Sequence, residues 1–298
     1  MFKRSRVTLC SEERLFWRTK QETMEDIRRR ARLKKTKSNV RLHSNLRIKA
    51  LFLDFDGTIS PVNVPISEAA VASETLTILQ KIRQQIPVAI ITSKSLPFVV
   101  EKTPFAHAWS ALCGLETKIG DVTIKAPCLQ TSTEDVMRSL KYAKSLCDDN
   151  LTIEEKLDSE GAVVAFSLDW RHSKSLHKAK ESVSRIIAYC ETLPVIIVRY
   201  EKQPFFDVFP CKVNKGDALL LLKENLCLSD GILYIGDSAI DNPAFNQADL
   251  AIGVMHAETL TCLDCDYFMK LEDVADFLNA LLENNFIFNP ESHKIIHR

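Results

Sequence analysis

Ile48-Lys49-Ala50-Leu51-Phe52-Leu53-Asp54-Phe55-Asp56-Gly57-Thr58 is the stretch that decides how this chain is read. An apolar run closes on two carboxylates two residues apart, then a glycine and a threonine. Side chains alternate along a strand, so Asp54 and Asp56 leave its end on the same side. Gly57 lets the backbone turn away where a Cβ would clash. Two like charges so close are costly unless a proton or a cation is shared between them. A hard divalent ion with oxygen ligands, Mg²⁺ by preference, resolves that repulsion. Strand ends of open α/β sheets are also where ligands bind.

The five residues Asp54–Thr58 resemble the first motif of the haloacid dehalogenase (HAD) superfamily of phosphohydrolases. The resemblance implies that Asp54 is a nucleophile and Asp56 a general acid/base. Three further features follow in the superfamily's order. Ile90-Ile91-Thr92-Ser93-Lys94 closes a second strand with the Thr92 hydroxyl, suited to a phosphoryl oxygen. Lys215 stands at a helix start, where the dipole disfavours a cation, so its placement points to a charge-neutralising purpose. Asp237 and Asp241 follow the strand Leu233-Tyr234-Ile235 and add oxygen ligands. Helix capping by Asp241, with Pro243 in the first turn, is the alternative. The catalytic expectation is therefore Asp54, Asp56, Thr92 and Lys215, and the expected metal set is Asp54, Asp56, Asp237 and Asp241.

Outward from these motifs, apolar strands at 48–53, 87–91, 232–235 and 249–252 alternate with amphipathic stretches at 67–85, 214–227 and 272–283. This is the pattern of a parallel α/β sheet, a Rossmann-like core. Residues 115–208 break the rhythm. Lys118–Ile124 reads as a hairpin on a Gly120-Asp121 turn. Helices at 132–147 and 173–191 and strands at 151–157, 162–168 and 195–198 follow. The expectation is an α+β cap, 115–208, inserted into a core of 47–114 and 209–298, between the second and third motifs.

Short segments resemble the trehalose-6-phosphate phosphatases more narrowly. Pro61 follows the first motif; Cys113-Gly114-Leu115-Glu116, Ile153-Glu154-Glu155-Lys156, Asp169-Trp170-Arg171 and Phe206-Asp207-Val208-Phe209-Pro210 match that family's cap motifs. The resemblance implies sugar contacts from Glu116, Lys156, Arg171, Lys202 and Asp207. It departs from the family at Ser93-Lys94, Cys113, Asp169 and Phe209, and Lys202 is one residue out of register. A glycosyl-phosphoglycerate or hexose phosphate therefore stays open as substrate, as does a non-catalytic binding protein on the same scaffold.

Composition sets outer bounds. An apolar fraction of 46% supports a substantial core, and no run is long enough to cross a bilayer. Zero net charge hides an asymmetry: residues 1–49 carry 16 Lys or Arg against 5 Asp or Glu, net +11, leaving −11 for the rest. Residues 1–46 are a basic extension, helical or solvated and flexible, whose block Arg28–Lys35 has nucleic acid or protein as an alternative partner. The nine scattered cysteines read as reduced thiols of a cytoplasmic protein. Cys262-Leu263-Asp264-Cys265 lacks the second pair that a zinc site needs.

Overall fold

The computed structural model describes residues 45–298 except 63, 65–67, 131, 201–202, 257–262, 293–294 and 298. The basic segment, with its expected helix, lies outside the described residues, as do Lys202 and Cys262.

Strands β1 (Leu46–Arg47) and β2 (Ala50–Leu53) lead to helix α1 (Ser73–Ile82), β3 (Val88–Ile91), α2 (Leu96–Lys102) and β4 (Ala108–Ala111). The hairpin β5 (Glu116–Ile119) and β6 (Val122–Lys125) follows, then α3 (Thr133–Ser145), β7 (Thr152–Leu157), β8 (Val163–Asp169), α4 (Leu176–Cys190), β9 (Ile196–Arg199) and β10 (Phe205–Phe209). The chain closes through α5 (Lys215–Asn225), β11 (Ile232–Gly236), α6 (Asn242–Phe245), β12 (Leu250–Met255), β13 (Tyr267–Lys270), α7 (Val274–Glu283), β14 (Ile287–Phe288) and β15 (Ile296–His297).

Nine strands form one sheet in the order β15-β13-β12-β11-β2-β3-β4-β5-β6. The six from β13 to β4 run parallel. The runs of β11, β2, β3 and β4 are short and buried on both faces, as inner parallel strands demand. In β2, Leu51 and Leu53 pack with Ile78, Leu79 and Ile82 of α1 and Leu278 of α7. Ala50 and Phe52 face the other way, onto Leu219 and Leu222 of α5. Each fully buried large aliphatic side chain of this kind is worth about 1.5–3 kcal/mol. Burial on both faces thus fixes the register of β2, and with it where Asp54 emerges.

β2 is bordered by β3 on one side and β11 on the other, so the strand order reverses there. A crevice opens at such a switch point, beyond the carboxyl ends of the strands.

The second unit is a four-stranded antiparallel sheet, β7-β8-β10-β9. Its α3 and α4 cover one face through Val136, Leu140, Val183 and Ile186, packed on Phe166, Leu168, Phe206 and Val208. The opposite face, carrying Glu154, Lys156, Ser167 and Asp207 by register and alternation, turns towards the large sheet.

Two expectations need correction. The hairpin at 118–124 forms on its Gly120-Asp121 turn, but β5 pairs with β4 and extends the large sheet. The insert therefore begins after Lys125, not at 115. The signal that decides this is the non-local pairing of Ala108–Ala111 with Glu116–Ile119, which no local pattern reveals. The cysteines are also not all reduced. Cys128 and Cys211 form a disulfide, and Cys227 is disulfide-bonded as well. Among the described residues Cys113, Cys147 and Cys190 are unbridged. No helix among the described residues is long and apolar enough to cross a membrane.

Candidate active site

Asp54 follows β2, Thr92 follows β3 and Asp237 follows β11. Leu53 pairs in register with Ile90 and with Ile235, which sets all three at one edge of the sheet. Lys215 reaches the same edge as the first residue of α5. Asn214 caps that helix by accepting hydrogen bonds from Gly216 N at 2.9 Å and Asp217 N at 3.0 Å. The cap satisfies the helix's first amides, so Lys215 can turn inward at only 1% exposure.

The Lys215 ammonium lies 2.8 Å from Asp54 Oδ1 and 2.8 Å from Asp241 Oδ1. Burial works against its charge, but Asp241 and Asp54 outweigh that and hold its pKa above the ordinary value. Burial raises the Asp54 carboxyl well above the usual range. Lys215 pulls it down, while Asp241 and Asp237 push the same way as burial. Burial likewise raises Asp237, partly offset by its hydrogen bond to His256. One buried ammonium thus bridges two buried carboxylates, and the third, Asp237, has only the half-buried His256 beside it, an arrangement short of positive charge.

Carboxylate oxygens of Asp54, Asp237 and Asp241 lie within 4.8 Å of one another. An all-oxygen, charge-deficient cluster of this kind fits a hard cation such as Mg²⁺. The three acids are not equivalent. Asp241 Oδ1 accepts from Lys215 and, at 2.5 Å, from the buried Tyr234 hydroxyl. Its Oδ2 accepts from Asp237 N at 3.1 Å, Ser238 N at 3.0 Å and Ser238 Oγ at 3.1 Å. With both oxygens so occupied, Asp241 is suited to orienting Lys215 and the 237–241 turn rather than to binding a cation. The capping alternative does not hold as expected: Asp241 stands at the N-cap of α6 without a side-chain cap hydrogen bond, and its carboxylate instead closes the Ser238–Asp241 capping box of the preceding turn. Asp54 and Asp237 are the two acids of the cluster better placed to hold a cation.

Gly57 shows why the first motif needs glycine. Its φ is +72°, and a Cβ there would stand 2.1 Å from Asp237 Oδ2 and 2.9 Å from His256 Nε2. The first motif's turn therefore packs directly on the acid of the last.

Asp56 stands further out, its side chain 37% exposed. Exclusion of water by its surroundings raises its carboxyl, against the pull of Lys94 and Lys215. Lys94 Nζ is 3.9 Å from Asp56 Oδ2 and 3.8 Å from Glu154 Oε1 across the seam to the second unit. Thr92 is fully buried, with Oγ1 accepting from Lys94 N at 3.2 Å.

The expected sugar contacts fare differently. Glu116 is fully buried and accepts from Ser159 N at 2.9 Å and Ser159 Oγ at 2.7 Å, so it clasps the β7–β8 turn. Lys125 joins the clasp, 2.9 Å from Asp158 and 3.8 Å from Glu116. Lys156 pairs with Asp207 at 3.0 Å and donates to Ser93 O at 3.2 Å. Asp207 also accepts from Ser167 Oγ and from Tyr200 Oη at 2.5 Å. Glu116 and Lys156 thus join the two units, and Asp207 holds Lys156 in place from within the insert. Arg171 pairs with Asp169 at 2.6 Å and lies over the Phe205 ring.

Sequence reasoning missed Lys94, Glu154, Tyr234 and His256 as site residues. Alternation on β7 carries the signal for Glu154, two residues before Lys156. Nothing local marks His256, whose Nε2 is 2.7 Å from Gly57 O and 3.4 Å from Asp237 Oδ2.

No protein-family model matches the chain, and no curated protein matches it. Solved structures do. A trehalose-6-phosphate phosphatase related protein is 20% identical, with TM-score 0.62, covering 77% of this chain and 95% of its own. The C-terminal domain of the C. albicans trehalose-6-phosphate phosphatase is 17% identical, with TM-score 0.64, covering 80% and 93%. A HAD subclass IIB sugar phosphatase is 14% identical, with TM-score 0.55, covering 80% and 100%. The fold is therefore that of the HAD phosphatases.

Proposed function

We propose that this chain is a Mg²⁺-dependent phosphatase acting on a phosphorylated sugar, with trehalose 6-phosphate as the substrate to test first. The observation that carries this reading is the clustering of the buried Asp54, Asp237 and Asp241 at the sheet's switch point, with Lys215 bridging Asp54 and Asp241. A silent scaffold has no physical need to bury three carboxylates around a single ammonium.

In this reading Asp54 attacks phosphorus in line. Its oxygen gains a bond to phosphorus as the bond to the sugar oxygen breaks, giving an aspartyl-phosphate. Asp56, whose carboxyl is raised above its ordinary value, hands a proton to the departing oxygen, then takes one from the water that cleaves the intermediate. Lys215 and Thr92 stabilise the transferring phosphoryl oxygens. Mg²⁺ held by Asp54, the Asp56 carbonyl and Asp237 would supply further positive charge to those oxygens. Asp241 keeps Lys215 aimed at Asp54. The insert acts as a cap: Glu154 and Lys94 at the seam, with Arg171 further out, are the groups left to meet the sugar, and closure excludes water.

Phosphate release from a panel of sugar phosphates, with and without EDTA, tests the reading. Release that stops in EDTA and returns with Mg²⁺ is expected. Full activity in EDTA contradicts the metal role, and none on any phosphate ester contradicts the enzyme.

The proton carried by Asp56 gives a pH signature. Its raised pKa keeps it protonated to higher pH than an ordinary carboxylate. For sugar phosphates, kcat/KM should fall as pH rises through that value. A substrate with an acidic leaving group, such as p-nitrophenyl phosphate, needs no proton and should show a much weaker fall. Identical profiles for the two substrates count against Asp56 as the acid.

A further inference from the structure

The chain passes between the large sheet and the insert twice. It leaves through the turn Pro127–Gln130 after β6 and returns through residues 210–214 between β10 and α5. Cys128 lies on the first linker and Cys211 on the second, with Cα atoms 6.2 Å apart, and they are bonded to each other. The bridge spans 83 residues of sequence and so encloses the whole insert in one covalent loop. Both cysteines are partly exposed, and their neighbours Pro127 and Lys212 are exposed.

Away from this pivot, the polar contacts between the units are reversible. Among the described residues they include Glu116 with Ser159, Lys125 with Asp158 and Glu160, Lys156 with Ser93 O, and Lys94 with Glu154. Those contacts can break and re-form as the insert swings. The disulfide cannot, and it ties the two linkers that must twist independently for the insert to rotate. Hinges work by a few linker residues absorbing backbone rotation, so a cross-link at both linkers bears on the motion more than one elsewhere would.

We propose that Cys128–Cys211 is a thiol–disulfide exchange site whose redox state sets the freedom of the hinge between the two units. The co-reactant is a dithiol. One of its thiolates attacks a cysteine sulfur, the S–S bond breaks, and its electron pair leaves on the other cysteine sulfur, which takes a proton. The second thiol of the reagent then displaces the first cysteine as a thiol. The reagent ends as a disulfide and the protein as two thiols, a two-electron transfer. Bridged, the linkers move as one; reduced, each turns alone.

The test is hydrogen exchange on the full chain, before and after dithiothreitol, with alkylation and mass mapping to report the state of each cysteine. The reporters are the amides of Ala126, Leu129 and Ser132, which donate to Leu115 O, Ala126 O and Cys128 O. Reduction should speed their exchange by about tenfold or more, the scale of a lost local constraint. A C128S/C211S variant should exchange at the fast rate without reductant and ignore dithiothreitol, which separates this bridge from that of Cys227. Should that variant fail to fold, Cys211→Ala serves in its place. Unchanged reporter exchange after verified reduction of both cysteines overturns the proposal. So does finding both as thiols in air-exposed protein, or an undiminished response in the variant. The readout needs no substrate, so its failure is distinct from failure of the phosphatase reading.

Discussion

Asp54→Asn is expected to slow phosphate release by at least about 10⁴-fold, the scale seen when a covalent nucleophile is removed. The fold should survive. Asn keeps the shape and can still accept a hydrogen bond from Lys215, which retains its 2.8 Å partner Asp241. Neutralising position 54 also relieves the burial and like-charge cost that raises the Asp54 carboxyl. The melting temperature should therefore hold or rise while activity disappears, a pairing that a structural role does not produce. Turnover at the wild-type rate rules out Asp54 as the nucleophile.

Lys215→Met should damage both function and stability. Methionine fills similar volume but leaves the buried Asp54 and Asp241 without their shared cation. Breaking a buried ion pair by removing one partner costs about 3–5 kcal/mol. At this chain length that corresponds to roughly 6 °C or more in melting temperature. Losing a group that stabilises the transferring phosphoryl should cost about 10²–10³ in kcat. The pH dependence has a definite sign. Without the ammonium that lowers it, the Asp54 carboxyl titrates higher still, so the folded variant binds its proton more tightly than the unfolded chain. Its deficit should be largest at alkaline pH and shrink on acidification. Mg²⁺ should restore part of it, since a bound cation favours the folded state. Melts at pH 5 and pH 8, with and without Mg²⁺, read all of this. A variant as stable as the parent at pH 8 contradicts the charge balance argued here.

Much of this site was legible before the fold was known, for a physical reason. A buried parallel strand is a short apolar run, and a polar residue just after it must sit at the sheet's edge. Asp54, Thr92 and Asp237 could be placed that way, and Lys215 by its odd position against the helix dipole. What was not legible depends on pairings distant in sequence. β4, Ala108-Trp109-Ser110-Ala111, is poor in β-branched residues and hides its register with β5, so the boundary of the insert was set too early. Glu116, Lys156 and Asp207 are charged and stand in family-like motifs. Yet Glu116 and Lys156 tie the two units together and Asp207 braces Lys156, uses that only spatial neighbours such as Ser159 and Ser93 disclose. Tyr234 looked like one more apolar strand residue, and its hydroxyl matters only because Asp241 lies 2.5 Å away. The Cys128–Cys211 bridge was invisible for the same reason.

The measurement that bears most directly on this account is ¹⁹F NMR of the protein with beryllofluoride, a mimic of a phosphorylated carboxylate that requires no knowledge of the sugar. A protected fluorine signal should appear only when Mg²⁺ is present, and should be missing from Asp54→Asn. A signal that forms equally well in EDTA, or persists in that variant, would mean that the carboxylates gathered at the sheet's edge do not build a phosphoryl-accepting, cation-dependent centre.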